Sequence, residues 1–250
     1  MQVSHGASRP LLLLCLVAAA TSGCTWGSKN GVPWWGSKED KAAAAENLKR
    51  YGPFAFERIE IVKQLGEYAA KGGPEEKEKV AQRLASDIQR EQDPLVRMQM
   101  VRTLAGIPNE TASAVLVAGA KDPDPEVRVA VCQSWGKRLT ASGKAAAPSG
   151  DIATASKILG DSLSGDTNID VRLAAATALG KVKDPRTVGT LAIALKDSDP
   201  ALQFQAVASL KQVSGKDFGN DVSKWQQYAA SVAPPGESPS VVAGHGQNLQ

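Results

Sequence analysis

Asp93-Pro94-Leu95-Val96-Arg97, Asp124-Pro125-Glu126-Val127-Arg128, Asn168-Ile169-Asp170-Val171-Arg172 and Asp199-Pro200-Ala201-Leu202-Gln203 are four copies of one pattern. A run of small and apolar residues follows each copy. These runs end near Leu104-Ala105-Gly106, Trp135-Gly136, Leu179-Gly180 and Leu210-Lys211. The copies begin 31, 44 and 31 residues apart. A unit of this length cannot bury its apolar face alone, so it must stack on its neighbours. The pattern therefore predicts an all-α solenoid, and it turns the functional question from a catalytic pocket to a binding surface.

Each copy parses as a helix A, a short link and a helix B. Asp93, Asp124, Asn168 and Asp199 are expected to cap the B helices, their side chains accepting first-turn amides. Proline next in line suits a first helical position, which needs no N–H. The predicted B helices are Pro94–Ala105, Pro125–Lys137, Ile169–Val182 and Pro200–Val213. The A helices are Glu75–Glu91, Glu110–Lys121, Ile152–Ser164 and Asp184–Lys196. An irregular first pair is placed at Glu39–Arg50 and Phe54–Lys71, where Arg58 aligns with Arg97 and Leu65-Gly66 with Leu104-Ala105. Gly106, Gly136 and Gly180 are read as helix stops. Thr140 to Gly150, rich in Gly, Ala and Ser, is read as an exposed loop that accounts for the longer middle spacing. Phe218 and Trp225, on a short last helix, are expected to cover the apolar end of the stack. That makes about five helix pairs plus a capping helix over residues 39–230. The Pro-, Gly- and Ser-rich residues 231–250 read as disordered.

The repeat resembles the HEAT-like repeats of the type also found in phycobilisome-lyase-related proteins. The resemblance covers roughly Glu39 to Ala230. It implies stacked helix pairs whose B helices line the concave face. It does not imply one activity, because such repeats serve scaffolds, lyases, hydroxylases and nucleic-acid enzymes.

Count the motif Val as position zero. Positions 0, +4, +7 and +8 then form the core stripe: Val96, Met100, Thr103 and Leu104 in one copy, Val171, Ala175, Ala178 and Leu179 in another. Arg97, Arg128 and Arg172 at +1 are expected at the stripe's edge, bonding carbonyls or the cap of a neighbouring repeat as a ladder. Position +2 holds Met98, Val129, Leu173 and Phe204, apolar in all four copies. Two readings stand side by side. The row is an apolar groove for a peptide or protein segment, rimmed by Gln99, Arg102, Gln133 and Gln205. Alternatively it fills space between repeats.

The chain opens with His5, Arg9 and an apolar run from Leu11 to Ala20, too short to span a bilayer, which needs about 20 residues. It reads as a signal segment, residues 1–23. Thr21-Ser22-Gly23-Cys24 resembles a bacterial lipobox, with Thr21 where Leu is usual. Lipidation at Cys24 would follow, with residues 24–38 as a flexible tether and the protein held in the cell envelope as a membrane-anchored lipoprotein. Ordinary cleavage after Ala18-Ala19-Ala20 is the alternative. Cys132 is then the remaining thiol, read as a buried apolar residue.

The sequence offers little chemistry. The two histidines are His5 and His245, at the chain's extremities. No clustered His or Cys suits zinc, and no phosphate-binding GxxxxGK[ST] motif is present. A net charge of +3 does not suit a nucleic-acid groove. No cofactor, metal or nucleic acid is expected. The reading is a non-catalytic protein-binding scaffold; an envelope enzyme, or an accessory subunit of one, is the alternative.

Overall fold

The computed structural model describes residues 53–141, 149–182, 184 and 186–232. The chain divides between Phe54 and Ala55, and the architecture below is that of the second unit. The predicted signal segment, tether, Cys24, first A helix and the tail beyond Val232 lie outside the described residues.

Among the described residues there are ten helices and no strand. They are α1 Ala55–Lys71, α2 Pro74–Ile88, α3 Pro94–Leu104, α4 Glu110–Gly119, α5 Pro125–Ala141, α6 Ser149–Gly165, α7 Ile169–Leu179, α8 Arg186–Ala194, α9 Pro200–Ser214 and α10 Val222–Val232. Odd-numbered helices pack on one another in the order α1, α3, α5, α7, α9, and even-numbered helices do so from α2 to α10. The unit is thus two helix rows, a B row and an A row, with the core between them. This is the all-α solenoid the repeat dictates.

Each B helix starts by the same device. Asp93, Asp124, Asn168 and Asp199 accept the amides of Leu95, Glu126, Asp170 and Ala201 at 2.8–2.9 Å through Oδ1. That satisfies first-turn donors that no helix carbonyl can reach. The core stripe follows, with Val96, Leu104, Val127, Trp135, Val171, Leu179, Leu202 and Leu210 all fully buried. Position +5 (Val101, Cys132, Ala176 and Val207) is buried as well. The B helices therefore bury a wider arc than the stripe alone, because each has neighbours on both flanks as well as an A helix behind.

Four expectations change. Gly136 lies inside α5 and so stops no helix; Gly180 does follow the last residue of α7, as read, but with right-handed backbone (φ −58°, ψ −20°). Positive φ among the described residues occurs at Gly215 and Gly219. The middle glycines serve close packing. A Cβ on Gly66 would meet Thr103 Cγ2 at 3.0 Å, on Gly136 Ala178 Cβ at 3.2 Å, and on Gly180 Ser209 at 2.9 Å. In each case position +9 of one B helix faces +7 of the next. The long middle spacing is spent mainly on helix: α5 runs to Ala141 and α6 begins at Ser149, so only 142–148 of the predicted loop lie outside the described residues. Helix α8 is shorter than expected, because Asp184 stays outside it and its Oδ1 accepts the Arg186 amide at 2.9 Å. The last helix reaches Val232, two residues past the predicted boundary.

Helix α10 packs on α8 and α9. Trp225 is fully buried, its indole N–H donates to Gly219 O at 3.0 Å, and Phe218 meets its ring edge-on at 4.8 Å. These rings cover apolar surface that would otherwise face water at the end of the stack.

Candidate functional site

The N-terminal ends of the B helices carry a charged ladder. Arg97 forms a fork with Asp122, with Nε and Nη2 each 2.8 Å from a carboxylate oxygen. Arg128 does the same with Asp166 at 2.7 and 2.9 Å, and Arg58 with Glu91 at 2.8 and 3.1 Å. Three arginines also turn back on their own repeats: Arg128 Nη1 donates to Asp122 O at 2.8 Å, Arg97 Nη1 to Gln92 O at 2.8 Å and Arg172 Nη1 to Asp166 O at 3.1 Å. The cross-repeat partner is not the cap. It is the carboxylate two residues before it, which also accepts the cap's own amide at 2.9 Å in all four repeats. One carboxylate thus orders its own link and ties it to the previous repeat. Asp122 and Asp197 are thus ladder members. The Arg128 guanidinium beside Asp166 holds that carboxyl below the usual aspartate range against the opposing effect of burial.

The last rungs differ. Arg172 Nη2 stands 3.7 Å from Asp197, and Arg172 Nε is buried with no hydrogen-bond partner among the described residues. Gln203 replaces the fifth arginine and donates to Asp197 O at 2.7 Å within its own repeat.

The outward side of the B row carries ordered lines of residues. Position +6 is exposed in every copy: Arg102, Gln133, Thr177 and Ala208. Of the +2 row, Met98, Val129 and Leu173 are half-buried and pack against the main core. Phe204 is 63% exposed, since no B helix follows α9. The row is therefore inter-repeat filling over Met98, Val129 and Leu173, and open to solvent at Phe204. Gln99 and Gln205 are half-buried, and their amides donate to Thr103 Oγ1 and Ser209 Oγ at 3.4 and 3.2 Å. They brace their own helices more than they face outward. Ile59 on α1, half-buried, extends the +2 row by one rung. The offset from Arg58 locates it in the sequence. Leu95, at −1, is 53% exposed beside Met98.

A second polar cluster lies at the opposite edge. Arg138, on the extension of α5, is 4% exposed. It donates to Asp151 Oδ2 at 2.9 Å, Ser113 Oγ at 2.9 Å and Asn109 O at 3.1 Å. Asn109 and Thr111 in turn donate to Glu78 at 2.8 Å. The cluster joins α2, α4, α5 and α6, and its members are absorbed in holding those helices. Only folding brings Glu78, Ser113, Arg138 and Asp151 together; no repeat register marks them in the sequence. Cys132 is buried at 1% exposure, and burial pushes its thiol up to about 11, so it is a poor nucleophile at neutral pH. On the A side, a trough of about 590 Å³ runs between α2 and α4 over Ile88, Ala114, Val115 and Ala118. Among the described residues no three His, Cys, Asp or Glu converge as a metal site. No helix among them is long and apolar enough to cross a membrane.

A family model described as HEAT repeats matches residues 81–149 and 156–223. No curated protein matches the chain. A crystal structure of an engineered protein is similar at 19% identity, covering 77% of this chain and 96% of that one, with a TM-score of 0.44.

Proposed function

The chain belongs to the HEAT-repeat family, and from that premise we propose that it is a non-catalytic scaffold docking a peptide or protein segment on the outward side of its B row. Repeats of this kind generally mediate protein–protein contact. One observation carries the choice of face. Five B helices in register present an apolar +2 row from Ile59 to Phe204, half-buried except at Phe204, beside an exposed +6 row. Contiguous apolar surface edged with polar groups is what interaction faces offer.

Photo-crosslinking tests this reading. A photoreactive residue at Gln133 or Ala208, on the B side, is expected to trap one recurrent protein in native membranes. The same group at Ala153 or Lys157, exposed on the A row, is expected to trap none. Adducts confined to the A-row positions, or absent from the B side, overturn the proposal.

The lipid anchor belongs to the same proposal and rests on Ser22-Gly23-Cys24 after an apolar run. A Cys24→Ala variant is expected to lose its lipid mass and leave the membrane fraction. A parent protein of unmodified mass at Cys24 would refute the anchor and leave the docking face untouched.

A further inference from the structure

Three rungs of the ladder are tight and the fourth is slack. Arg58, Arg97 and Arg128 place Nε 2.7–2.8 Å from a carboxylate oxygen. At the junction of α7 and α9 the contact widens to 3.7 Å, and Arg172 Nε bonds to nothing among the described residues. The other half of the same junction is clamped. Ser209 lies against Gly180, and its buried hydroxyl donates to Ala176 O at 2.8 Å. The A row has its own close contact at that junction, where a Cβ on Gly160 would meet Thr190 Cγ2 at 3.2 Å. Both close contacts stand back from the ladder edge: Gly180 is about 12 Å along its helix from Arg172, and Gly160 about 8 Å along its own from the Asp166 end.

Between clamp and rung the side chains of α7 are mostly small. Helix α7 reads Leu173-Ala174-Ala175-Ala176-Thr177-Ala178, so it offers few large knobs to interlock with α9. Packed helices with little interdigitation slide or rock at low cost, whereas interlocked ones have discrete seats.

We propose that the last repeat, α8 to α10, is a hinged module that pivots on the Gly180–Ser209 and Gly160–Thr190 contacts and opens at the Arg172–Asp197 rung. A rotation of about 10° at a 12 Å arm moves that edge by about 2 Å. The opening changes the spacing between Leu173 and Phe204, the last two rungs of the +2 row. The inference stands on the junction's geometry and holds with or without a docked partner.

Lengthening the carboxylate tests it. The first rung already uses a glutamate, Glu91, at 2.8 Å. Asp197→Glu adds one methylene and is expected to close the slack rung. The readout is the spread of spin-label distances by double electron–electron resonance. The chain is used whole, with Cys15 and Cys24 changed to Ser, and Cys132 left buried. Labels at Glu126→Cys and Ala201→Cys span one tight rung and the slack one; labels at Leu95→Cys and Asp170→Cys span two tight ones. All four sites are exposed. The first pair is expected to give a distribution at least ~2-fold broader, and Asp197→Glu to narrow it to the width of the second. Equal widths in the parent, or a width that Asp197→Glu does not change, overturn the hinge.

Discussion

Replacing Arg128 by Met is expected to lower the stability of the repeat unit by about 3 kcal/mol near pH 7, read by urea unfolding. The side chains of Arg128 and Asp166 are 15% and 10% exposed. Losing the guanidinium leaves a mostly buried carboxylate with one remaining donor, the Asn168 amide at 2.9 Å. Most of the cost is that stranded charge, not the intrinsic worth of the pair. The pH dependence follows. Asp166 is depressed by Arg128 first, so its contribution is present above the unfolded aspartate value of about 3.9. It is lost as pH falls through the folded value. In the variant, burial without the guanidinium raises the same carboxyl. The gap between parent and variant should therefore narrow steadily as pH falls into the carboxylate range and the stranded carboxylate is neutralised. A gap independent of pH would assign the loss to packing of the arginine stem instead.

Gly180→Val should cost a similar amount, about 3 kcal/mol, by a different route. A Cβ at 180 would stand 2.9 Å from Ser209 Cβ and Oγ and 3.1 Å from its Cα. The last distance is to backbone, so rotation of the serine cannot relieve it. The two helices must part, and the Ser209–Ala176 bond breaks with them. Gly189→Ala is the control. Gly189 lies inside α8 with nothing within 4 Å of an added Cβ, so the change should stabilise by roughly 0.5–1 kcal/mol through helix propensity. If Gly180→Val proves no worse than Gly189→Ala, the close approach of α7 and α9 is not real. Adding Ser209→Gly should recover part of the Gly180→Val loss, since the two residues share the contact.

How much of this was legible beforehand differs from feature to feature. The B-helix starts were, because capping is local: an Asp or Asn side chain reaches amides two residues on. The core stripe was too, since a 3.6-residue period survives in any sequence that buries one helix face. Arg97, Arg128 and Arg172 were readable as a ladder that bonds carbonyls, but the acidic partner across the repeats is not the cap. The cue lay in the sequence: Glu91, Asp122, Asp166 and Asp197 each stand two residues before a cap. Gly136 misled, because a small residue at a helix end and a small residue at a helix crossing look alike in one dimension. The +2 row was half legible. Periodicity aimed position +2 outward, yet it could not report that the next B helix half-covers Met98, Val129 and Leu173 and leaves Phe204 exposed.

By itself, then, the sequence determined what depends on neighbours within about one helical turn, plus the repeat that multiplies it. Caps, helix registers, the two-helix unit and its family all follow from that. The tertiary structure alone decided what depends on distance across the stack. It set which carboxylate meets which arginine, why Gly66, Gly136 and Gly180 must be small, and how Arg138 gathers Asn109, Ser113 and Asp151. It also decided that one rung is slack. The physical reason is that a solenoid repeats its local rules faithfully, but a contact between repeats is set by the offset of two helices, and no single repeat encodes that offset.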